Sequence, residues 1–315
     1  MPHAVVAVRY GGPEAIDIIE IPAKDPGPGE VVVVVRAAAL NPIDAKRAAG
    51  LRGGDPAALP LRLGFEAAGV VTGLGATDLV GADGVPISLG DEVVVFRVPG
   101  AQADELVVPA KDVLRKPPSL GFDVAAGVLL VGTTAAHALE VLRLREGETV
   151  LVHGVAGSVG RAVAQLALRE GARVIGTAAP RHHDELRGLG VEPVAYGPGL
   201  LDRIRALGGE GVDAAVDTVG GEEATEVSLA LVPIRARIVT IAHAQGIIDA
   251  GGVEIGSGDP AGDAIRDAAR PELIRLAAAG ELVIPVVARY PLADVREAYE
   301  FLAGGHAAGK VVLEP

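Results

Sequence analysis

The sequence predicts an α/β protein with two parts, a β-rich domain and a domain built on a doubly wound parallel sheet. Three observations support this: short strands separated by turn clusters in the first third, a glycine turn between a strand and a helix near mid-chain, and alternating strands and helices after it. A chain of 315 residues is long enough for two domains that each bury a core.

The glycine turn is the most informative segment. Residues 149–160 are Thr-Val-Leu-Val-His-Gly-Val-Ala-Gly-Ser-Val-Gly, an apolar strand followed by a turn. The segment from Ser158 to Glu170 then has the spacing of a helix with one buried face. Gly171 ends that helix, and a second strand begins at Arg173. Strand, turn, helix and strand in about 30 residues form a βαβ unit.

This arrangement is typical of a cradle for nucleotide phosphates. Gly157 allows the backbone to approach a pyrophosphate, and Gly160 allows the helix to pack against the strand. The free N–H groups at the helix start, at Ser158 and Val159, and the positive end of the helix dipole attract an anion. Val155 stands where the usual fingerprint has its first glycine.

The other elements follow from turn residues and apolar periodicity. Strands are expected before the glycine turn at residues 3–10, 16–22, 30–38, 67–73, 91–97 and 105–110. Helices after it are expected at 182–189, 200–207, 222–230, 263–279 and 294–302, and strands at 192–195, 212–217, 237–242, 282–288 and 310–313. Because strands that alternate with helices form parallel sheets, the second domain is expected at 118–280, with 1–117 and 281–315 forming the first.

Composition excludes several classes of function. A net charge of −13 argues against nucleic acid as a partner, since a phosphate backbone requires a basic surface. No uninterrupted apolar run reaches the roughly 18 residues that cross a membrane, and no secretory signal pattern is present. The absence of cysteine excludes disulfides and thiolate chemistry. We therefore expect a cytoplasmic protein with no membrane partner.

Several short segments resemble one family. They are the stretches 39–46, which contains Asn-Pro-Ile-Asp-Ala-Lys, 63–71, which contains Gly-Phe-Glu, 90–94, 132–139, 150–154 and 309–313. In order and spacing the chain resembles a zinc-independent medium-chain dehydrogenase/reductase of the NADPH quinone oxidoreductase branch. The resemblance implies a GroES-like domain, to which the C-terminal strands return, a Rossmann domain, and an active site in the cleft between them. It also implies a homodimer paired through the last edge strand, near 253–256.

The chain lacks the zinc ligands of related alcohol dehydrogenases. Asn41 stands where those enzymes have cysteine and Phe65 where they have histidine, and neither side chain replaces those ligands at a tetrahedral zinc. No catalytic metal is therefore expected. Hydride must then go to a carbon that is already electrophilic, in a quinone or in the activated C=C of an α,β-unsaturated carbonyl.

The end of the second parallel strand indicates which cofactor is bound. NAD enzymes carry a carboxylate there for the ribose hydroxyls, whereas residues 176–179 of this chain contain none. Thr177 can donate a hydrogen bond to a 2′-phosphate and Arg181 can chelate it, and Tyr196 occupies the place of a tyrosine that closes this pocket in the resembled branch. These residues favour NADPH. Alternatively, Arg181 and the two following histidines form a solvated helix start.

The remaining candidates each have two interpretations. Asn41 holds either the nicotinamide ribose or the substrate carbonyl, with Asp44 beside it, or the two form an Asn-Pro turn. Lys46 donates to the substrate oxygen or is a surface lysine, and Thr133 precedes a helix, where it contacts the cofactor or caps the helix. Glu66 is expected to be a buried, paired carboxylate. Val219 and Thr240 end two strands at the carboxyl edge of the sheet, where ligands bind.

The sequence thus predicts an NADPH-dependent reductase of quinones or enones. Two alternatives stay open: an enoyl-thioester reductase on the same scaffold, and a non-catalytic protein that senses NADPH.

Overall fold

The computed structural model describes residues 1–208, 211–256, 258–305 and 307–315. The chain divides into two units. The first comprises Met1–Leu130, Arg270–Gly280 and Ile284–Pro315, and the second comprises Val131–Ala269 and Glu281–Val283. The sequence assigned 118–130 and 270–280 to the Rossmann domain and 281–283 to the first domain, whereas the units place them the other way round. The helices Phe122–Leu142 and Pro260–Ala278 each contribute residues to both units.

The strands, in chain order, are β1 (His3–Ala7), β2 (Ile16–Glu20), β3 (Glu30–Leu40), β4 (Leu61–Arg62), β5 (Glu66–Leu74), β6 (Glu92–Phe96), β7 (Glu105–Pro109), β8 (Val113–Arg115), β9 (Thr149–His153), β10 (Arg173–Thr177), β11 (Glu192–Val194), β12 (Ala214–Asp217), β13 (Ile238–Thr240), β14 (Val253–Glu254), β15 (Val286–Pro291) and β16 (Lys310–Glu314). The α-helices are α1 (Pro42–Ala48), α2 (Phe122–Leu142), α3 (Ser158–Arg169), α4 (His183–Gly188), α5 (Leu200–Ala206), α6 (Glu222–Leu231), α7 (Gln245–Asp249), α8 (Pro260–Ala278) and α9 (Val295–Ala303).

The first unit is β-rich. Its larger sheet has the order β15-β16-β3-β5-β6-β8, with β7 also paired to β3, and its smaller sheet has the order β2-β1-β4. The valine run of β3 forms a strand because β-branched side chains pack well on a pleated surface, and Val31, Val33 and Val35 enter the core. A second core packs Leu40, Val311 and the buried Tyr299 of α9 together. The C-terminal strand β16 pairs with β3 in this unit, as expected.

The second unit contains one parallel sheet, in the order β11-β10-β9-β12-β13-β14. The central strand β9 pairs on one side with β10 and on the other with β12, so Leu151 lies between Ile175 and Ala215. The strand order reverses at β9, and ligands of such sheets bind outside the carboxyl ends at that reversal. The predicted GroES-like and Rossmann fold is confirmed.

Two sequence predictions about elements are wrong, and two short strands were missed. Thr133 does not precede a helix but lies within α2, because apolar residues on both sides of the threonine pair continue one buried helix. The strand expected at 282–288 is Val286–Pro291, since its hydrogen bonds are set by pairing with β16. The short strands β4 and β8 were not predicted, because each is ordered by its partner strand.

Helix α2 also changes the expectation about membrane spans. Its mean hydropathy of 1.6 over an 18-residue window makes it long and apolar enough, by length and composition alone, to cross a membrane. Of that window, 67% is buried inside the protein, as in the core helix of a globular fold. This is weak evidence for a membrane span. The sequence criterion of an uninterrupted apolar run does not identify this helix, because polar residues interrupt it.

Candidate functional site

The turn between β9 and α3 is the segment predicted to be a phosphate cradle. Gly154 has a φ of +75°, a conformation that favours glycine, and its N–H donates to the Thr177 hydroxyl at 3.0 Å. The Val155 N–H donates to the Thr177 carbonyl at 3.1 Å. A Cβ on Gly160 would lie 2.4 Å from the Gly154 oxygen, so only glycine allows the helix to approach the turn.

The start of α3 is open to a ligand. Gly157 is the N-cap, and a Cβ there would meet only the Gly154 oxygen, at 3.3 Å. Ser158 and Val159, in the first turn, are partly exposed. The first N–H groups of a helix have no partner within it, so this end can bind an anion.

The end of β10 carries the residues expected to select the cofactor. Thr177 is buried and its oxygen is occupied by the Gly154 N–H, so it shapes the turn in addition to any contact with phosphate. Arg181 is exposed in the turn before α4. Burial lowers the pKa of the neighbouring His182, and the positive charges of Arg181 and Arg161 lower it further.

A second loop at the carboxyl edge follows β12 and is organised by Asp217. One carboxylate oxygen of Asp217 accepts the N–H groups of Val219 and Gly220, both at 2.9 Å, and the other accepts the Thr240 hydroxyl at 3.0 Å. Val219 is 59% exposed, while Thr240 is buried beneath the loop and supports it. Sequence reasoning missed Asp217, although an acid that ends an apolar central strand was a visible signal.

Two other predicted residues differ in accessibility. Tyr196, after β11, is 59% exposed and therefore accessible to a ligand. Thr133 is fully buried within α2. His153 precedes the cradle and contacts the Ser228 hydroxyl at 3.0 Å, and burial lowers its pKa to about 4, so it is neutral at physiological pH.

The first unit contains a buried polar cluster around Asn41, the residue between β3 and α1. The Lys310 ammonium donates to the Asn41 Oδ1 at 2.6 Å and to the Glu66 Oε1 at 2.8 Å. The Asn41 Nδ2 donates to the same Glu66 oxygen at 3.1 Å, and the Leu130 N–H donates to the other Glu66 oxygen at 2.8 Å. Glu66 is fully buried, so the prediction of a buried, paired carboxylate is confirmed.

Asp44 extends this cluster. Its Oδ2 accepts the Asn41 N–H at 2.9 Å and lies 3.5 Å from the Gln102 Nε2, while the Tyr299 hydroxyl donates to the Gln102 Oε1 at 2.8 Å. Its Oδ1 has no hydrogen-bond partner among the described residues. Burial raises the pKa of Asp44 to about 7, although Lys310 lowers it. Burial and the nearby Asp44 raise the pKa of Tyr299.

The structure brings Asn41 and Asp44 together but leaves Lys46 outside the buried cluster. Lys46 lies on α1 and is partly exposed. Asn41 and Asp44 are almost completely buried, so in this structure their side chains contact other members of the cluster and not solvent. Sequence reasoning missed Lys310, whose only signal is a charged residue that opens an apolar terminal strand. In the described ranges, no group of three or more histidines and acids is placed to bind a metal ion.

Two family models match the chain. Residues 27–118 match the alcohol dehydrogenase GroES-like domain, and residues 189–313 match a zinc-binding dehydrogenase model.

Several curated proteins are similar over most of the chain. A quinone oxidoreductase of Pseudomonas aeruginosa is 31% identical over 337 aligned positions, which cover all of both chains. The phthioceranic/hydroxyphthioceranic acid synthases of Mycobacterium tuberculosis are also 31% identical, over 96% of this chain. The chain spans only 15% of the length of those synthases.

Solved structures agree with these matches. A mycobacterial quinone oxidoreductase has a TM-score of 0.80 at 30% identity, covering 100% of each chain. The Escherichia coli quinone oxidoreductase complexed with NADPH has a TM-score of 0.85 at 27% identity, covering 99% of this chain and 100% of that one. The JamJ enoyl reductase has a TM-score of 0.84 at 25% identity, covering 100% and 99%. The chain therefore belongs to the medium-chain dehydrogenase/reductases, in their quinone oxidoreductase branch.

Proposed function

We propose that the protein is an NADPH-dependent oxidoreductase that transfers hydride, without a metal, to a quinone or to the activated C=C of an α,β-unsaturated carbonyl. One observation carries this proposal. The glycine cradle at the β9–α3 turn lies beside a strand end that has no carboxylate and is followed by the exposed Arg181. Two solved relatives contain NADPH.

The second unit offers a position for each charged part of NADPH. The N–H groups at Ser158 and Val159 would bind the pyrophosphate. Arg181 would pair with the 2′-phosphate, because a guanidinium matches phosphate geometry with two hydrogen bonds. Glu185, an acid in the following helix α4, is engaged by Arg161 through two hydrogen bonds of 2.7 Å, which reduces its repulsion of a phosphate.

Residues of the first unit support the proposed class of acceptor. Asn41 and Phe65 occupy the positions where zinc dehydrogenases have metal ligands, and the chain has no cysteine. A substrate activated by its own carbonyl needs orientation and hydrogen-bond donors for the developing enolate, and NADPH supplies the hydride. Asn41 is held in place by its hydrogen bonds with Glu66 and Lys310. In the proposed reaction the enolate takes its proton from water.

An enoyl-thioester reductase is the second candidate. It is favoured by the match to the long phthioceranic/hydroxyphthioceranic acid synthases and to an enoyl reductase structure. We also propose that the protein is a cytoplasmic homodimer paired through β14, an edge strand whose outer side has no partner strand in the described part of the sheet.

The test is NADPH oxidation measured by absorbance, with a simple quinone, a simple enone and an enoyl thioester assayed in parallel. We expect turnover with the quinone or the enone, and slower turnover with the thioester. A preference for the thioester would favour the second candidate. NADPH binding without turnover of any acceptor would instead indicate a sensor.

A further inference from the structure

A buried arginine lies in the first turn of α3. Arg161 is only 2% exposed, and it is followed in the helix by the core residues Ala162 and Val163. The apolar pattern of this helix does not explain an arginine at this depth. Because a buried charge is costly unless it is paired and hydrogen-bonded, its partners indicate what it does.

Arg161 has partners on two sides. Its Nε donates to the carbonyl oxygen of Ala156 at 3.0 Å. Its two terminal nitrogens donate to the two carboxylate oxygens of Glu185, both at 2.7 Å. This is the bidentate geometry of the strong arginine–carboxylate pairs, and the hydrogen bond from Arg161 lowers the pKa of Glu185.

The first partner belongs to the cradle itself. Ala156 lies between Gly154 and Gly157, in the turn that would face the pyrophosphate. A peptide plane carries its C=O and N–H on opposite sides, so holding the Ala156 oxygen also fixes the direction of the Gly157 N–H. The adjacent Gly157 has almost nothing near its missing Cβ, and glycine populates many backbone conformations. The Gly157 N–H also donates to the Gly154 oxygen at 3.0 Å, so the peptide is held from both sides. Without the charged bond from Arg161, only this neutral hydrogen bond would keep the carbonyl oxygen from turning toward an anion.

The second partner belongs to the other side of the cofactor site. Glu185 is in the first turn of α4, directly after the turn that carries Arg181 and His182. A single guanidinium therefore links the pyrophosphate turn to the segment that would bind the 2′-phosphate.

We propose that Arg161 is a positioning residue for the cofactor: it holds the Ala156 carbonyl away from the pyrophosphate and ties the cradle to α4 through Glu185. The proposal rests on the proposed binding of NADPH. It assigns Arg161 no direct contact with the 2′-phosphate. Its effect on the cradle is therefore shared by NADPH and NADH, which have the same pyrophosphate, whereas the link to α4 would add an effect on NADPH alone.

The first test uses the full-length protein without cofactor and measures hydrogen–deuterium exchange of the peptide that covers residues 154–158. Arg161→Lys keeps the charge but cannot make the two-sided contact, because lysine carries a single ammonium in place of the planar guanidinium. We expect exchange of this peptide to accelerate about tenfold, as for the loss of a charged hydrogen bond. Glu185→Gln should give a smaller acceleration, since one oxygen still accepts.

The matched control is Arg173→Lys. Arg173 makes a similar two-bond pair with Glu192, at 2.7 and 2.6 Å, in the same unit but at the amino end of β10. This variant should leave exchange of the 154–158 peptide unchanged. Unchanged exchange in Arg161→Lys, or equal acceleration in the control, would overturn the proposal.

The second test measures the dissociation constants of NADPH and NADH by titration. For Arg161→Lys we expect both constants to rise, that of NADH about tenfold and that of NADPH by at least this factor, because a released Glu185 would also repel the 2′-phosphate. A rise confined to NADPH would mean that Arg161 does not hold the pyrophosphate turn, which contradicts the positioning role. If the wild-type protein bound neither cofactor, the proposed function would fail, while the exchange experiment would still decide whether Arg161 holds the turn.

Discussion

Replacing Asp44 by asparagine should change how the stability of the first unit depends on pH. Asp44 is fully buried, and burial raises the pKa of its carboxyl group from 3.8 to about 7, with Glu66 adding to this increase and Lys310 opposing it. Between these two values the folded protein retains a proton that the unfolded chain has released. Ionisation therefore works against the folded state, and wild-type stability falls as the pH rises through this window.

The size of the effect follows from the shift in pKa. A change from 3.8 to about 7, at about 1.4 kcal/mol per pKa unit, corresponds to about 4 kcal/mol in the free energy of unfolding. Asparagine has nearly the same shape, can still accept the Asn41 N–H, and never ionises. Relative to wild type, Asp44→Asn should therefore gain about 4 kcal/mol in stability between about pH 4 and about pH 8.

The assay is urea unfolding followed by tyrosine fluorescence, since the chain has no tryptophan. In a Tyr196→Phe background every remaining tyrosine lies in the first unit, so the signal reports that unit alone. Asp78→Asn, which removes an exposed carboxylate from the same unit, serves as the control and should lack the gain of about 4 kcal/mol expected for Asp44→Asn, because its side chain stays in water on folding. Subtracting wild type from each variant cancels the contributions of the other titrating groups.

A difference between Asp44→Asn and wild type that stays constant from acid to mild alkali would refute the reasoning. So would a difference of the opposite sign, because that would mean the folded state stabilises the carboxylate.

Four further outcomes are expected. Arg181→Ala should weaken NADPH binding by about 1–3 kcal/mol and leave NADH binding nearly unchanged, since only NADPH carries the 2′-phosphate; equal losses in titrations of the two cofactors would contradict this assignment. Dialysis against a strong chelator should leave turnover unchanged, and a loss that zinc restores would overturn the metal-free mechanism. Asn41→Ala should clearly reduce turnover because it removes an acceptor of Lys310, whereas Lys46→Ala should cost roughly tenfold or less; a thousandfold loss at Lys46 with normal cofactor binding would identify it as the proton donor. Light scattering should show a dimer of 31.8 kDa chains, and a monomer mass at micromolar concentration would disprove pairing through β14.

Local sequence patterns determined most of the second unit. The glycine turn, the helix after it and the alternation of strands with helices depend on contacts between near neighbours in the chain. The parallel sheet and the role of Gly160 could therefore be predicted from periodicity and residue type. The same approach failed at Thr133, where local turn-like residues lie within a helix because their surroundings are buried and apolar.

Only the tertiary structure revealed the contacts that organise the two sites. Lys310 and Asn41 are 269 residues apart in sequence, and Arg161 and Glu185 are 24 apart on different helices. No periodicity relates such positions, because the partner of a buried charge is chosen by how the chain folds back on itself. The sequence by itself therefore predicted the glycine turn that we propose binds the cofactor, and the residue types around it. Tertiary packing decided which buried charges pair and which peptide they hold. A charge removed from water is tolerated only where the fold places an opposite charge or a hydrogen-bond partner beside it.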